Sequence, residues 1–241
     1  MVAPPISSIS QVPAERVEQS AGILAQALRE YSPVTYACSL GIEGMVLTDL
    51  IWTRFPEIEI FTLDTGRLHE ETRLLLERLE LRYQRPMQVV YPDTRDLETY
   101  VATHGINGFY KGLEERQACC SVRKLGPFRR AIAGKRSWIT GVRRSHSDSR
   151  ALGSEIIWDA EHGLHKVSPL LDWTDADIWN YVRAHRVPYN TLLDRGYASI
   201  GCAPCTRPVQ PGEHPRAGRW WWEQAETREC GLHGRIRAAT P

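Results

Sequence analysis

Six cysteines are the residues of this 241-residue chain whose type and spacing point most directly to chemistry. Cys119 and Cys120 are adjacent, Cys202-Ala203-Pro204-Cys205 is a C-x-x-C, Cys230 lies near the C-terminus and Cys38 stands alone. Six are too few to staple a secreted chain of this length, and the paired spacings suggest a metal or a redox reaction instead. Neighbouring side chains on a helix diverge by roughly 100°. Two adjacent thiolates therefore suit two different irons of a cubane better than one small zinc ion. Cys202 and Cys205 complete the four thiolates that a [4Fe–4S] cluster needs. Spacing alone leaves zinc open, and four unrelated thiols as well.

Cys230 has a different character. It stands in Glu229-Cys230-Gly231-Leu232-His233-Gly234, a polar, glycine-flanked setting that reads as exposed, whereas Cys38 follows Tyr36-Ala37 in an apolar run and reads as buried. The thiolate is the nucleophilic form, and nearby cations favour it. Arg228 and His233 act in that direction and Glu229 against it.

The cations are also unevenly placed. The whole chain carries a formal charge of +1, yet residues 110–150 hold eleven Lys or Arg against Glu114, Glu115 and Asp148. A near-neutral total argues against a dedicated nucleic-acid binder, while one basic block in an otherwise acidic chain suggests a site for a small anion. A solvated helix face is the competing reading.

Two glycine-containing loops accompany this block. Ser39-Leu40-Gly41-Ile42-Glu43-Gly44 can present backbone N–H groups to a phosphate at a helix start, or it can be only a turn. It lacks the Gly-Lys-Ser/Thr of a Walker A loop and the G-x-G-x-x-G of a dinucleotide fingerprint. Leu63-Asp64-Thr65-Gly66-Arg67 closes a second strand, at the strand ends where open α/β sheets bind ligands. Asp64 or Thr65 can equally cap the helix that follows.

The elements that must position these groups follow from hydrophobic periodicity. Helices are expected over 14–31, 45–55, 68–81 and 175–185, the last capped by Thr174 or Asp175. Strands are expected over 34–40, 58–63, 87–91 and 137–141. Strand–helix alternation implies a parallel sheet with helices on its faces, an α/β class. Residues 1–13 read as frayed. Residues 14–201 read as one domain, and 202–241, rich in Pro, Gly and Arg, as a mobile tail. Apolar residues at 42% and charged residues at 24% exclude wholesale disorder. No apolar run approaches the roughly 18 residues of a membrane span, and the first 30 residues lack a signal-peptide pattern.

Taken together, Ser39–Gly44, Leu63–Arg67, Cys119-Cys120-Ser121-Val122-Arg123-Lys124, Gly141-Val142-Arg143-Arg144, Cys202-x-x-Cys205 and Glu229–His233 resemble the assimilatory sulfonucleotide reductases over residues 34 to 235. The resemblance implies a three-layer, parallel-sheet fold similar to the adenine nucleotide alpha-hydrolases, and a thioredoxin-dependent reduction of adenosine 5′-phosphosulfate (APS) to sulfite and AMP. It implies Cys230 as nucleophile, and Cys119, Cys120, Cys202 and Cys205 as ligands of a [4Fe–4S] cluster with an electrostatic and structural role. It places Lys124 between cluster and substrate, Arg216 and Arg219 near the sulfate, and Arg143 and Arg144 over the substrate, and it matches His233 to the substrate-binding histidine that follows the catalytic cysteine. Ser39 and Gly41 fall on the phosphate side, and Leu63, Asp64, Thr65, Gly66 and Arg67 on the adenosine.

Reduced thioredoxin or glutaredoxin is the implied partner, with no nucleic acid and no membrane, in the cytoplasm; a homo-oligomer is left open. The four paired cysteines favour APS over its 3′-phosphorylated form, which is the runner-up substrate alone or with APS. An ATP pyrophosphatase-type enzyme of the same fold would keep a fuller Ser-Gly-Gly-x-Asp-Ser loop, and a non-catalytic sensor would not need the Glu229–His233 motif. One departure stands out: the family often has Glu-Asp where this chain has Glu43-Gly44, so any role of that second carboxylate does not transfer.

Overall fold

The structure is a computed structural model that describes residues 12–146 and 154–224. Six strands form a mostly parallel sheet in the order β3-β2-β1-β4-β6-β5, with β1 Val34–Cys38, β2 Glu59–Leu63, β3 Gln88–Val90, β4 Ser137–Ile139, β5 Ile156–Asp159 and β6 Leu164–Val167. Only the β5–β6 pair is antiparallel among the registered pairs. The expected α/β class holds. Among the described residues no helix is long and apolar enough to cross a membrane.

Contacts divide the chain into two compact units. One comprises the described parts of Pro5–Ile60 and Gly134–Val187. Here β1 pairs with β4 in the register Val34↔Ser137 to Tyr36↔Ile139, and β4 pairs with β6. Helix α1, Ala14–Tyr31, matches its expected bounds and buries Ser20, Ala21, Leu24 and Ala27. Helix α2, Ile42–Arg54, starts three residues earlier than its apolar run suggested. Its burial is nearly continuous from Gly44 to Ile51, as for a helix enclosed on all sides. Helix α7, Asp175–Ala184, is capped by Thr174 rather than Asp175: the Thr174 hydroxyl accepts from Asp177 N while the Asp177 carboxylate accepts from Thr174 N. The β5–β6 hairpin, absent from the sequence reading, is fastened by Trp138, whose indole donates to Asp159 at 3.0 Å.

The other unit comprises Phe61–Ala133 and the described part of Pro188–Leu232. Strands β2 and β3 pair in parallel, Phe61↔Gln88 to Leu63↔Val90. Around them stand α3 Glu70–Tyr83, α4 Thr94–His104, α5 Leu113–Cys120 and α6 Gly126–Ile132. A single π-helical turn, Ser121–Leu125, joins α5 to α6, and Gly126 N–H donates five residues back to Ser121 O. Pro127 supplies a cause, because its ring crowds the carbonyl four residues earlier, at Arg123, and widening the turn relieves that clash.

Residues 202–224, read from sequence as the start of a tail, are packed into this unit. Thr206 and Arg219 form an isolated bridge, and Trp220 is 1% exposed. The segment lacks periodicity because cysteines and aromatic residues, rather than a helix face, supply its buried surface.

Candidate functional site

In the second unit four cysteines meet at one cavity. Cys119 and Cys120 end α5, while Cys202 precedes and Cys205 closes a short 3-10 turn, Ala203–Cys205. All four are buried and none forms a disulfide. The same cavity is lined by the cations Arg67, Arg116, Arg123 and Lys124, and by Phe109, Pro204 and Trp220. The adjacency of Cys119 and Cys120 gives the expected divergence along a helix, and the C-x-x-C turn brings the second pair from 82 residues downstream of Cys120.

Electrostatics differ among the thiols. Burial works against a Cys202 thiolate, but Lys124, the Thr65 hydroxyl at 3.2 Å, Arg219 and Arg123 outweigh it and hold the thiol below its usual value. Burial, followed by the neighbouring Cys202 charge, pushes Cys205 up to about 12. Burial also raises Cys119, with Arg123 opposing. Thiolates crowded together in a dry cavity repel one another, and cations must compensate.

The Leu63–Arg67 segment is built into this cavity. Gly66 takes φ +71 and donates its N–H to Asp64 Oδ1 at 2.8 Å. Neither Asp64 nor Thr65 caps α3, whose N-cap is His69; Asp64 instead faces Arg73 at 3.7 Å. The Thr65 carbonyl accepts from Arg123 at 2.6 Å, and the Arg67 carbonyl from Ala203 N at 2.8 Å. The Arg67 guanidinium is held by Asn107 and the Ile106 carbonyl, 5.0 Å over the Phe109 ring.

Arg219 is buried with its guanidinium 4.5 Å from the Trp220 ring. A Cβ on residue 201 would lie 2.3 Å from Arg219 Nη2, so a side chain there would displace the guanidinium from its present position. Arg216 is partly exposed on the loop before it, its N–H directed to His214.

The first unit holds the other loop. Ser39 is exposed, Leu40 adopts φ 57, and Gly41 is the N-cap of α2. Glu43 and Gly44 therefore lie in the first helical turn rather than in a loop. Gly44 has a local explanation: a Cβ there would meet Tyr36 Oη at 3.3 Å and Cys38 Sγ at 3.4 Å. The Gly44 carbonyl accepts from Tyr36 and Thr48 at 3.1 and 2.8 Å. Arg143 is 1% exposed and gives its donors to Glu43, Asp175 and the Trp173 carbonyl. Arg144, more open, pairs with Asp172.

The structure brings Thr65, Gly66, Arg67, Lys124 and Arg219 to the cysteine site, and places Ser39, Gly41, Arg143 and Arg144 in the first unit. Cys230 and His233 lie outside the described residues. Arg116 and Glu223 carried no expectation. The Arg116 signal was present as i,i+4 spacing to Cys120 on one helix face, whereas Glu223 follows three tryptophans with nothing to mark its partner.

Comparison with known proteins agrees with this geometry. The Phosphoadenosine phosphosulfate reductase domain matches residues 33–208. The adenosine 5′-phosphosulfate reductase of Allochromatium vinosum is 50% identical over 213 residues, covering 88% of this chain and 83% of that protein. That of Burkholderia cepacia is 46% identical over 228 residues, covering 95% and 90%. Among solved structures, phosphoadenylyl-sulfate (PAPS) reductase from Candida auris in a phosphate complex superposes with a TM-score of 0.67 at 24% identity, covering 84% of this chain and all of that one. Candida glabrata FMN adenylyltransferase gives 0.54 at 18%, covering 94% and 77%, a likeness of fold alone. With matched residues running from the first strand through the second cysteine pair, the chain belongs to the phosphoadenosine phosphosulfate reductase domain family.

Proposed function

We infer that this chain reduces adenosine 5′-phosphosulfate to sulfite and AMP in sulfate assimilation. The observation that carries the reading is the meeting of Cys119, Cys120, Cys202 and Cys205 with Lys124 and Arg123 at one buried cavity. Relatives about half identical to this chain bear the name of that activity.

The donor set suits a [4Fe–4S] cluster. Four buried thiols, Cys119, Cys120, Cys202 and Cys205, line one cavity. A cubane is itself several ångströms across and takes its four thiolates further apart than one ion at about 2.3 Å would. Cys119, Cys120, Cys202 and Cys205 would hold it, and when bound it supplies charge close to the substrate site rather than the reducing electrons.

The chemistry assigned to the protein is two successive displacements at sulfur. The Cys230 thiolate attacks the sulfuryl sulfur, the S–O bond to phosphate breaks, and AMP departs with the bonding pair. This leaves an S-sulfonate on Cys230. One thiol of a reduced thioredoxin or glutaredoxin then attacks the Cys230 sulfur and sulfite leaves with its electron pair. The partner's second thiol resolves the mixed disulfide, returning Cys230 as thiolate and leaving the partner oxidised by two electrons.

A thiolate approaching a sulfuryl group sets two anions against each other, so fixed cations must stabilise the developing charge. Lys124, Arg216, Arg219 and His233 are assigned that task. Ser39 and Gly41 are assigned to the phosphate, Leu63 to Arg67 to the adenosine, and Arg144 to the substrate as the more open of its pair. Arg143 enters as the residue that holds Glu43.

An anaerobic assay of sulfite release with reduced thioredoxin, run on APS and on its 3′-phosphorylated form, tests the reading. Sulfite from APS by brown protein carrying about four irons is expected. Sulfite from neither nucleotide, or only from the 3′-phosphorylated one, contradicts it.

A further inference from the structure

Glu223 stands seven positions before Cys230. Its carboxylate accepts two parallel hydrogen bonds from Arg116, Nε to Oε1 and Nη2 to Oε2, each 2.8 Å. The Arg116 and Glu223 side chains are only 1% and 7% exposed. Arg116 also lies 4.8 Å from the Trp220 ring, and its charge, disfavoured by burial, is restored by Glu223. A buried ion pair of this kind is weak evidence for stability, because desolvation offsets its attraction, but its forked geometry fixes position well. It joins α5, one turn before Cys119 and Cys120, to the chain segment that leads to Cys230.

We propose that Arg116 and Glu223 are a positioning pair that anchors to α5 the chain segment leading to Cys230. The proposal rests on the reading of Cys230 as the nucleophile. Covalent geometry then confines Cys230 to within about 25 Å of Glu223. Immediately before Glu223, Trp222 packs against Phe109 and Tyr110 with ring centroids 6.4 and 4.6 Å apart, so the ion pair fixes the end of a segment that is already packed.

The test compares wild-type protein with Glu223→Ala, Glu223→Gln, and an otherwise unchanged chain carrying Gly-Ser-Gly inserted after Gln224. The rate of Cys230 S-sulfonation in a single turnover without reductant, followed by intact mass, is expected to fall at least about twofold in Glu223→Ala and in the insertion chain, because loosening the placement of a reacting group slows its reaction. Glu223→Gln should fall between, with AMP affinity and iron content unchanged in all. Hydrogen exchange over 220–224 reads the anchor without reference to catalysis and should accelerate in Glu223→Ala but not in the insertion chain. Unchanged exchange, an unchanged rate, or a rate loss that follows loss of iron or AMP affinity in Glu223→Gln overturns the proposal. If exchange responds as expected but wild-type protein forms no adduct, the Cys230 reading fails, and the positioning role fails with it.

Discussion

Lys124 follows the cysteine pair by four residues, lines their cavity and is the strongest favourable charge on Cys202. Lys124→Ala is expected to slow Cys230 S-sulfonation by about 10²-fold, the usual cost of one preorganised charge-stabilising group. AMP affinity should change far less, and an unchanged rate contradicts the assignment. The paired cysteines were legible in sequence because their chemistry depends on residue type at short spacing, whereas Lys124 was marked only through the resemblance. Glu223 was not legible, since its partner lies 107 residues away and only folding brings them together. Arg143 shows a subtler limit: the resemblance placed it over the substrate with Arg144, and no sequence signal indicated that its guanidinium is held by Glu43, Asp175 and the Trp173 carbonyl.

At the scale of elements, α1 and α7 matched their expected bounds closely because amphipathic faces and a capping threonine are local signals. Removing that cap by Thr174→Ala is expected to cost about 1 kcal/mol in urea unfolding, and no measurable loss would contradict the capping geometry. The early start of α2 was hidden because Gly41-Ile42-Glu43-Gly44 reads as a turn until Tyr36 and Thr48 are seen to hold the Gly44 carbonyl. The π-helical turn left only Pro127 as a clue. The β5–β6 hairpin depends on a non-local contact, Trp138 to Asp159. Burial opposes the Asp159 charge, yet His162, Trp138 and Lys166 outweigh it and hold the carboxyl below the ordinary 3.8. A depressed carboxylate contributes stability at neutral pH that is lost as pH falls through its lowered value. Between about pH 5 and about pH 3 the wild-type urea midpoint should therefore drop further than that of Asp159→Asn. Parallel curves for the two proteins would contradict this.

Across the whole molecule, the near-neutral total conceals a division of labour among the cations. Arg116, Arg123 and Lys124 line the cysteine cavity, the two arginines buried and bonded to Glu223 and the Thr65 carbonyl, while Arg143 is buried in the other unit against Glu43, Asp175 and the Trp173 carbonyl. The basic block at 110–150 is therefore partly scaffold, which a charge count could not reveal. The cysteines divide as well: four line one cavity and Cys38 is buried. Cys230 is assigned the nucleophilic role. That assignment is tested most directly by mixing the anaerobic protein with APS in the absence of reductant and mapping the product by mass spectrometry. A sulfonate on Cys230, released as sulfite on addition of reduced thioredoxin and absent from Cys230→Ser, is the predicted result. AMP release with no adduct on Cys230, or an adduct that persists in Cys230→Ser, would contradict it.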